Sequence, residues 1–502
     1  FILSLCLFIT WRINSKKSNK IVLNSLILYF GSVISAVLAM KTKEIAFTLP
    51  VVILLYEIMF FEGKLLKRLF YNIPLLLTML IIPLSLIEID KIDTDLIMNI
   101  RESTRVDTDI SRWNYLLTQF VVIVTYFRLI FFPINQNLDY DFQIYNTFLN
   151  THVFLSFLIL ISIFSLGVYI FFRSKIFNKN FRIISFGIFW FFITISVESS
   201  LIPIVDVIFE HRIYLPSIGF FIGISMGFFI LLNKFEGDSY RTISILILMI
   251  FVLSLSTLTY LRNNIWKNEI ILWQDTMQKS PNKDRPHINL GLIFKDIGRT
   301  EEAMRHYKKA LQINPNSDRA HINLGVALND SGRTELAINH YRKALRINPK
   351  SDIVYFNLAH ALYKLGETNE AIKNYLKAID QNPFFDEAHN NLGLAYNDQG
   401  KTEIAIKYFL EAIKINPNSA EAHNNLGKTL NNKGYIDRSV EHFLIALRNK
   451  SDFEEAHINI GRALKIKGLI EEAKRHYLKA LKINPNSYKA HYNLGILFNE
   501  LG

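Results

Sequence analysis

The sequence predicts an all-α protein in two parts. A polytopic helical membrane domain fills residues 1–261, and an α-solenoid of 34-residue repeats fills 284–502, with a connector at 262–283. Three observations predict this. Half of the 502 residues are hydrophobic, 39 of them Phe, which is too apolar for an ordinary water-soluble chain. The apolar residues are concentrated: 1–261 is runs of Ile, Leu, Phe and Val, whereas 262–502 is rich in Asn, Lys, Glu, Ala and His. Finally, RPHINLG at 285–291 returns as RAHINLG at 319–325, EAHNNLG at 387–393 and 421–427, EAHINIG at 455–461 and KAHYNLG at 489–495, all in one frame.

A membrane span needs about 20 mostly apolar residues. The candidates are 1–11, 21–40, 45–61, 70–88, 115–132, 151–172, 183–202, 213–232 and 242–261. A soluble helical core is the competing reading, disfavoured by so many long uncharged runs with polar loops between them. Basic loops orient the spans. Arg12, Lys16, Lys17 and Lys20 mark one cytoplasmic loop; Lys64, Lys67 and Arg68 a second; Arg173, Lys175, Lys179 and Arg182 a third; Lys234 and Arg241 a fourth. Segments 88–112, 134–150 and 203–212 then lie outside, and so does everything after 261. Segment 115–132 breaks the parity. With Thr118, Gln119, Thr125, Tyr126 and Arg128, it is either a re-entrant or interfacial helix or a plain span with one loop assigned to the wrong side.

The net charge of +12 does not point to nucleic acid. In the first part Lys and Arg gather in short loops; in the second they alternate with acids, as on a solvated helix face. The one cysteine, Cys6, lies in an apolar run, which excludes disulfides and cysteine-metal sites, and no metal-ligand set is expected. Both ends read as truncated: residue 1 is Phe inside an apolar run, and Gly502 falls midway through a repeat.

Numbering each repeat from 1, with the first at 284–317, position 8 is small (Gly291, Gly325, Ala359, Gly393, Gly427, Gly461, Gly495) and position 20 is Ala or Ser439. Small residues there let the two helices of a unit approach closely. Position 24 is Tyr or Phe, position 27 is Ala in all six full units, and position 32 is Pro except at Ser451, ending the second helix. The pattern is that of the tetratricopeptide repeat, in six full units and a partial seventh. Residues 268–283, with Pro281 one period before Pro315, read as the second helix of a degenerate unit.

Position 4 is His in every unit but the third, where it is Tyr355. A metal stripe is disfavoured, because copies on adjacent helix pairs lie about 10 Å apart, too far to share one ion; packing between helices is the preferred reading. Position 6 is Asn throughout: Asn289, Asn323, Asn357, Asn391, Asn425, Asn459 and Asn493. Asn is a poor helix-interior residue. Stacked units would align these amides as a ladder, each with a donor and an acceptor to match a peptide bond. The alternative is that each Asn bonds a neighbouring unit and sets the superhelical pitch; the two roles can coexist. The ladder resembles that of the nucleocytoplasmic O-GlcNAc transferase, and implies a partner polypeptide held in extended form.

The stretches MKTKEIAFTLPVVILLYE (40–57), WNYLLTQFVVIVTYFRLIFFPINQNLDYDF (113–142) and VESSLIPIVDVIFEHRIYLPSIGF (197–220), with the repeats behind them, resemble the transmembrane and tetratricopeptide-repeat-containing protein family. The resemblance implies a C-type glycosyltransferase fold and protein O-mannosyltransferase-like activity. The donor would be a polyprenyl-phosphate sugar, with no tightly bound cofactor, and the acceptor a Ser or Thr of a protein outside the cytoplasm. It also implies a principal catalytic acid in the first external loop, upstream of residue 1. Such transfer needs a carboxylate to take the hydroxyl proton and fixed cations for the departing phosphate. Supporting candidates are Lys43 and Glu44 in an external turn, and Asp206, Glu210, His211, Arg212 and Tyr214 at the mouth of span 213–232. Arg212 or Lys43 would contact the lipid phosphate, with His211 and Tyr214 orienting it; a Glu210–Arg212 ion pair or interfacial anchoring by Tyr214 is the purely structural alternative. Asp139 and Asp141, in NLDYDF, are weaker candidates, since acidic loop residues are usually just solvated. Two other functions fit parts of the sequence. One is a non-catalytic membrane scaffold presenting the repeats. The other, resting on the repeats alone, is a nucleotide-sugar transferase.

Overall fold

A computed structural model describes residues 1–17, 23–85, 110–174, 179–197, 199, 206–232 and 238–501. Expectations that rest on loop 88–112 as far as 109, on 203–205, on Lys20, Lys175 and Lys234, or on the side chains of Lys16, Lys17, Glu44 and Arg241 fall outside that description. Among the described residues every regular element is a helix, and the chain divides into two compact units, Phe1–Pro281 and Asn282–Gly502.

The first unit contains α1 (Ile2–Lys17), α2 (Leu23–Met40), α3 (Leu49–Phe60), α4 (Leu65–Leu77), α5 (Ile81–Ser85), α6 (Arg112–Phe131), α7 (Thr151–Ser174), α8 (Phe181–Ile195), α9 (Tyr214–Leu232), α10 (Asp238–Trp266) and α11 (Glu269–Lys279). Helices over Leu65–Leu84, Arg112–Phe131, Thr151–Ser174, Glu210–Leu232 and Thr242–Trp266 are long and apolar enough to cross a membrane; the remaining predicted spans fall on shorter apolar helices. The boundaries move for local reasons. Span 45–61 becomes a 3-10 turn at Glu44–Thr48 followed by α3, which starts where Pro50 is tolerated in the first helical turn.

A soluble core does not fit. The most apolar stretch of α10 has none of its residues buried, and Ile243, Leu246, Ile250 and Leu253 are all exposed. A contiguous apolar face of that length needs a lipid environment. The chain is a membrane protein by this measure.

Helix contacts inside the unit use devices suited to lipid, where apolar burial alone does not drive association. Ser4 Oγ donates to Ser32 O at 2.7 Å and Ser32 Oγ to Ser4 O at 2.8 Å, joining α1 to α2. On α9, Gly219 and Gly223 form a small-xxx-small face against Gly187 of α8; a Cβ on Gly187 would lie 2.2 Å from Gly219 O. Helix α6 is the most buried candidate span, with 56% of its apolar window covered. It is one unbroken helix; Thr118, Gln119 and Tyr126 turn inward, while Arg128 is exposed. Gln119 Nε2 donates to Val207 O at 3.1 Å, and Tyr126 OH bonds both O and N–H of Phe209 at 3.0 Å. Thr118 Oγ1 accepts from Tyr145 N at 3.0 Å. These bonds account for the buried polar groups of the helix.

The unit has two polar ends, separated by the length of α8, about 22 Å for fifteen residues. At one end Glu57, fully buried, accepts from Arg12 Nε and Nη2 at 2.9–3.0 Å. Arg68 Nε lies 3.5 Å from the same carboxylate, and its Nη2 donates to Glu57 O. Arg182 donates to Met59 O at 3.1 Å. Residues from three loops that the charge rule places on one side therefore meet there. At the other end, segments 134–141, 206–212 and 279–280, all expected on the opposite side, meet one another.

In the second unit each repeat is a helix pair, as Arg285–Asp296 with Thr300–Ile313. The position-8 glycines lie against the position-24 rings: a Cβ on Gly325 would be 2.6 Å from Tyr341 Cε1, and one on Gly393 2.6 Å from Phe409 Cε1. Position 15, unremarked in the sequence, is Gly with φ between 74° and 84° in all six full units. It ends the first helix in a left-handed turn, closed by Arg333 N donating to Leu328 O at 2.8 Å.

Candidate functional site

The candidate membrane site lies at the second end of the bundle, where the 3-10 turn Glu210–Ile213 leads into α9. Arg212 is buried, 4% exposed. Its Nη1 is 3.3 Å from Val207 O, and its guanidinium lies 5.1 Å from the Phe209 ring centroid. Helix α9 continues directly from this turn, with Tyr214 N donating to His211 O. A fixed guanidinium is suited to hold a phosphate oxyanion. His211 is exposed, with its ring centroid 5.1 Å from that of Phe209, the ring beside Arg212, and Tyr214 is 72% exposed. Asp206 is half-buried just ahead of Val207.

Glu210 takes partners across the chain. Its Oε1 accepts from Asn137 N at 2.8 Å and from Tyr140 OH at 2.7 Å. Burial, and then the Glu210 charge, push the Tyr140 hydroxyl well above its ordinary range, so it remains the donor. Asp139 differs from the expected solvated acid: it is 3% exposed, because its carbonyl accepts from Ser280 Oγ at 2.6 Å and Asn137 Nδ2 at 3.0 Å. Asp141 is exposed, and its N–H donates to Ser280 Oγ at 2.9 Å. Lys279 Nζ donates to Gln136 O at 2.9 Å. Helix α11 of the connector is thereby fastened to loop 134–141 of its own unit. Lys43 is exposed in the turn after α2, where its carbonyl accepts from Ala46 N at 3.0 Å; Glu44 opens the following 3-10 turn.

The array holds the second candidate site. Position-6 Asn residues reach the preceding unit where an acceptor exists. Asn425 Nδ2 donates to Asn390 Oδ1 and Asn459 Nδ2 to Asn424 Oδ1, each at 3.0 Å. These are the inter-unit bonds of the pitch-setting alternative, and they leave amide capacity on Asn425 and Asn459. Where position 5 of the preceding unit is Ile288, Ile322 or Phe356 the acceptor is missing. Asn459 and Asn493, with Lys428, Arg462, Lys489 and Tyr492, line a cavity of 500 Å³.

Four of the six position-4 histidines pair with a second histidine at position 23 of the same unit. Nδ1···Nδ1 distances are 3.1 Å for His287–His306, 2.9 Å for His321–His340, 3.0 Å for His423–His442 and 3.1 Å for His457–His476. In His321 and His423, Nε2 bonds the carbonyl of Pro315 or Pro417 at 3.2 Å, so Nδ1 accepts from the partner ring. Ring centroids 5.1–5.3 Å apart place the two nitrogens end to end. These separations are those of a ring-to-ring hydrogen bond. Burial first, then the partner ring, lowers His340 and His476 from 6.5 to about 4.

Family models of the TPR repeat match residues 291–330, 327–366, 360–400 and 461–502; those of the tetratricopeptide repeat match 386–419 and 408–440. The chain is 30% identical over 102 residues to Protein O-mannosyl-transferase F38B6.6 of Caenorhabditis elegans, covering 20% of this chain and 14% of that protein. It is 32% identical over 108 residues to Protein O-mannosyl-transferase TMTC1 of Homo sapiens, covering 21% of this chain and 12% of that protein. The matched stretches are thus a small part of those relatives. Among solved structures, pilF of Pseudomonas aeruginosa is 24% identical over 42% of this chain and 96% of its own, with a TM-score of 0.38. MamA is 29% identical over 32% of this chain and 95% of its own, with a TM-score of 0.30. The chain therefore joins a helical membrane unit to an array of tetratricopeptide repeats, and is similar over about a fifth of its length to protein O-mannosyl-transferases.

Proposed function

We propose that the full-length protein is a membrane glycosyltransferase. It moves a sugar, mannose by its relatives' names, from a polyprenyl-phosphate donor to Ser or Thr hydroxyls of polypeptides outside the cytoplasm. The observation that carries this reading is the similarity to protein O-mannosyl-transferases; the buried Arg212 supports it. Arg212 neutralises the departing lipid phosphate, held by Val207 O and the Phe209 ring in an orientation that costs no reorganisation during transfer. Glu210 positions loop 137–140 beside it. The array holds the acceptor in extended form, using amide groups left over from the inter-unit bonds and the side chains around Asn459 and Asn493.

The test is sugar transfer from a synthetic polyprenyl-phosphate mannose by the full-length protein in detergent. Transfer is expected, with Arg212→Ala lowering turnover about 100-fold, the scale for one lost electrostatic contact to a developing charge, while the melt shows the protein still folded. No transfer from any polyprenyl-phosphate sugar would favour the membrane scaffold instead.

A further inference from the structure

The Arg12–Glu57 end of the bundle carries a cavity of 790 Å³ between α1, α2 and α4. We propose that it takes the phosphate headgroup of a membrane lipid, at a site separate from Arg212 and at the other end of α8.

The charge at the cavity is unbalanced. Arg12, Lys64, Lys67 and Arg68 line it, against the carboxylate of Glu62 in the lining and that of Glu57 behind it. One buried carboxylate serves two guanidiniums, so it neutralises only one of them. Arg68 Nε is buried and makes no hydrogen bond among the described residues, its shared counter-ion Glu57 lying 3.5 Å away, and a cation so incompletely paired favours an incoming anion. Lys64 and Lys67 are exposed at the mouth.

The rest of the lining is apolar and aromatic. Trp11 lies 4.7 Å from the Tyr29 ring and 5.4 Å from the Tyr71 ring, and Tyr29 OH donates to Tyr71 O at 2.8 Å, which fixes these walls. Leu26, Phe70 and Ile73 continue the lining and are themselves exposed. A cationic mouth joined to an exposed apolar wall matches an anion carried on a hydrocarbon chain, and basic pockets between membrane helices bind such headgroups. A free polar anion would gain nothing from the wall. Glycerophospholipids and polyprenyl phosphates share the required chemistry.

The test is lipid-dependent thermal stabilisation of the full chain in detergent. The probes are dioleoylphosphatidylglycerol, a polyprenyl phosphate, dioleoylphosphatidylcholine and inorganic phosphate. At least one anionic lipid should raise Tm, and the double variant Lys64→Gln/Lys67→Gln should need about thirtyfold more of it, given about 1 kcal/mol for each of the two basic residues near an anionic surface. Lys64→Arg/Lys67→Arg should respond as the parent does. A response to only one anionic lipid identifies the source. The proposal falls if phosphatidylcholine or inorganic phosphate stabilises equally, if no anionic lipid acts, or if the Gln variant keeps the parent's response.

Discussion

In the bundle, Glu57 is met by Arg12 and Arg68 at a single place, with no period relating the three residues. In the array, the contact of Gly325 with Tyr341 recurs at Gly291, Gly393, Gly427 and Gly461. The difference teaches how each region distributes its stability. The bundle concentrates polar energy in a few buried groups that tie distant segments together. The array spreads a similar modest term over units that each contact their neighbours. Loss of one group should therefore cost most in the bundle and be confined to its own surroundings in the array.

The largest effect is expected from Glu57→Ala, which leaves two guanidiniums without their buried carboxylate. Breaking a buried pair in this way costs about 3–5 kcal/mol, read as a fall in the denaturation midpoint of the detergent-solubilised protein. A drop no larger than that of an exposed substitution would mean that the bundle is not organised around Glu57. Next is Gly325→Val. Its side chain must displace the Tyr341 ring, and overpacking costs about 1–3 kcal/mol. Hydrogen exchange should localise the loss to the second repeat and its neighbours; loosening of the whole array would contradict the distributed picture.

A smaller and more selective effect is expected at position 6. Asn425→Ala and Asn459→Ala each remove an inter-unit amide bond, worth about 1 kcal/mol. Asn323→Ala and Asn357→Ala face Ile288 and Ile322 and should stay within about 0.5 kcal/mol of the parent, helped by the better helix propensity of Ala. Equal costs at all four positions would dissociate stability from the inter-unit bonds. Peptide titration of the triple variant Asn391→Ala/Asn425→Ala/Asn459→Ala separates the other role: weaker binding is expected, and intact binding would remove the ladder from acceptor recognition.

The smallest effect is on pH dependence. His340 and His476 have folded values near 4 against an ordinary 6.5, so the unfolded chain binds more protons between those limits. Array stability should be complete above about pH 6.5 and decline as pH falls towards 4. His340→Gln should flatten that decline; an unchanged slope would show that the histidine pairs do not titrate in this window.

The same contrast explains what was legible in the sequence. Position 8 glycines and position 24 rings were readable because period 34 repeats the signal six times. Position 15 is Gly in all six full units and position 23 is His in four of them, but neither pattern says what the residue meets across the helix pair. In the bundle, Arg212 stood out as a charge at a span mouth, but its burial did not, and neither did the partners of Glu210, which lie about 70 residues upstream. Glu57 was an available signal of the same kind, a lone acid in an apolar run. Its arginines lie 45 and 11 residues away in sequence, and no periodicity relates them. The buried Asp139 is unreadable for a similar reason: it depends on Ser280, 141 residues later.

The orientation we propose puts the Arg212 end and the array on the non-cytoplasmic side and the Glu57 end on the cytoplasmic side. It is tested most directly by single cysteines at Lys350 in the array and Lys64 at the cavity mouth, each in a Cys6→Ser background, labelled with a membrane-impermeant maleimide. Both positions are exposed. The account predicts that Lys350→Cys labels in intact cells or spheroplasts and that Lys64→Cys labels only after permeabilisation. Labelling of Lys64→Cys from outside, or of Lys350→Cys only after lysis, would contradict it.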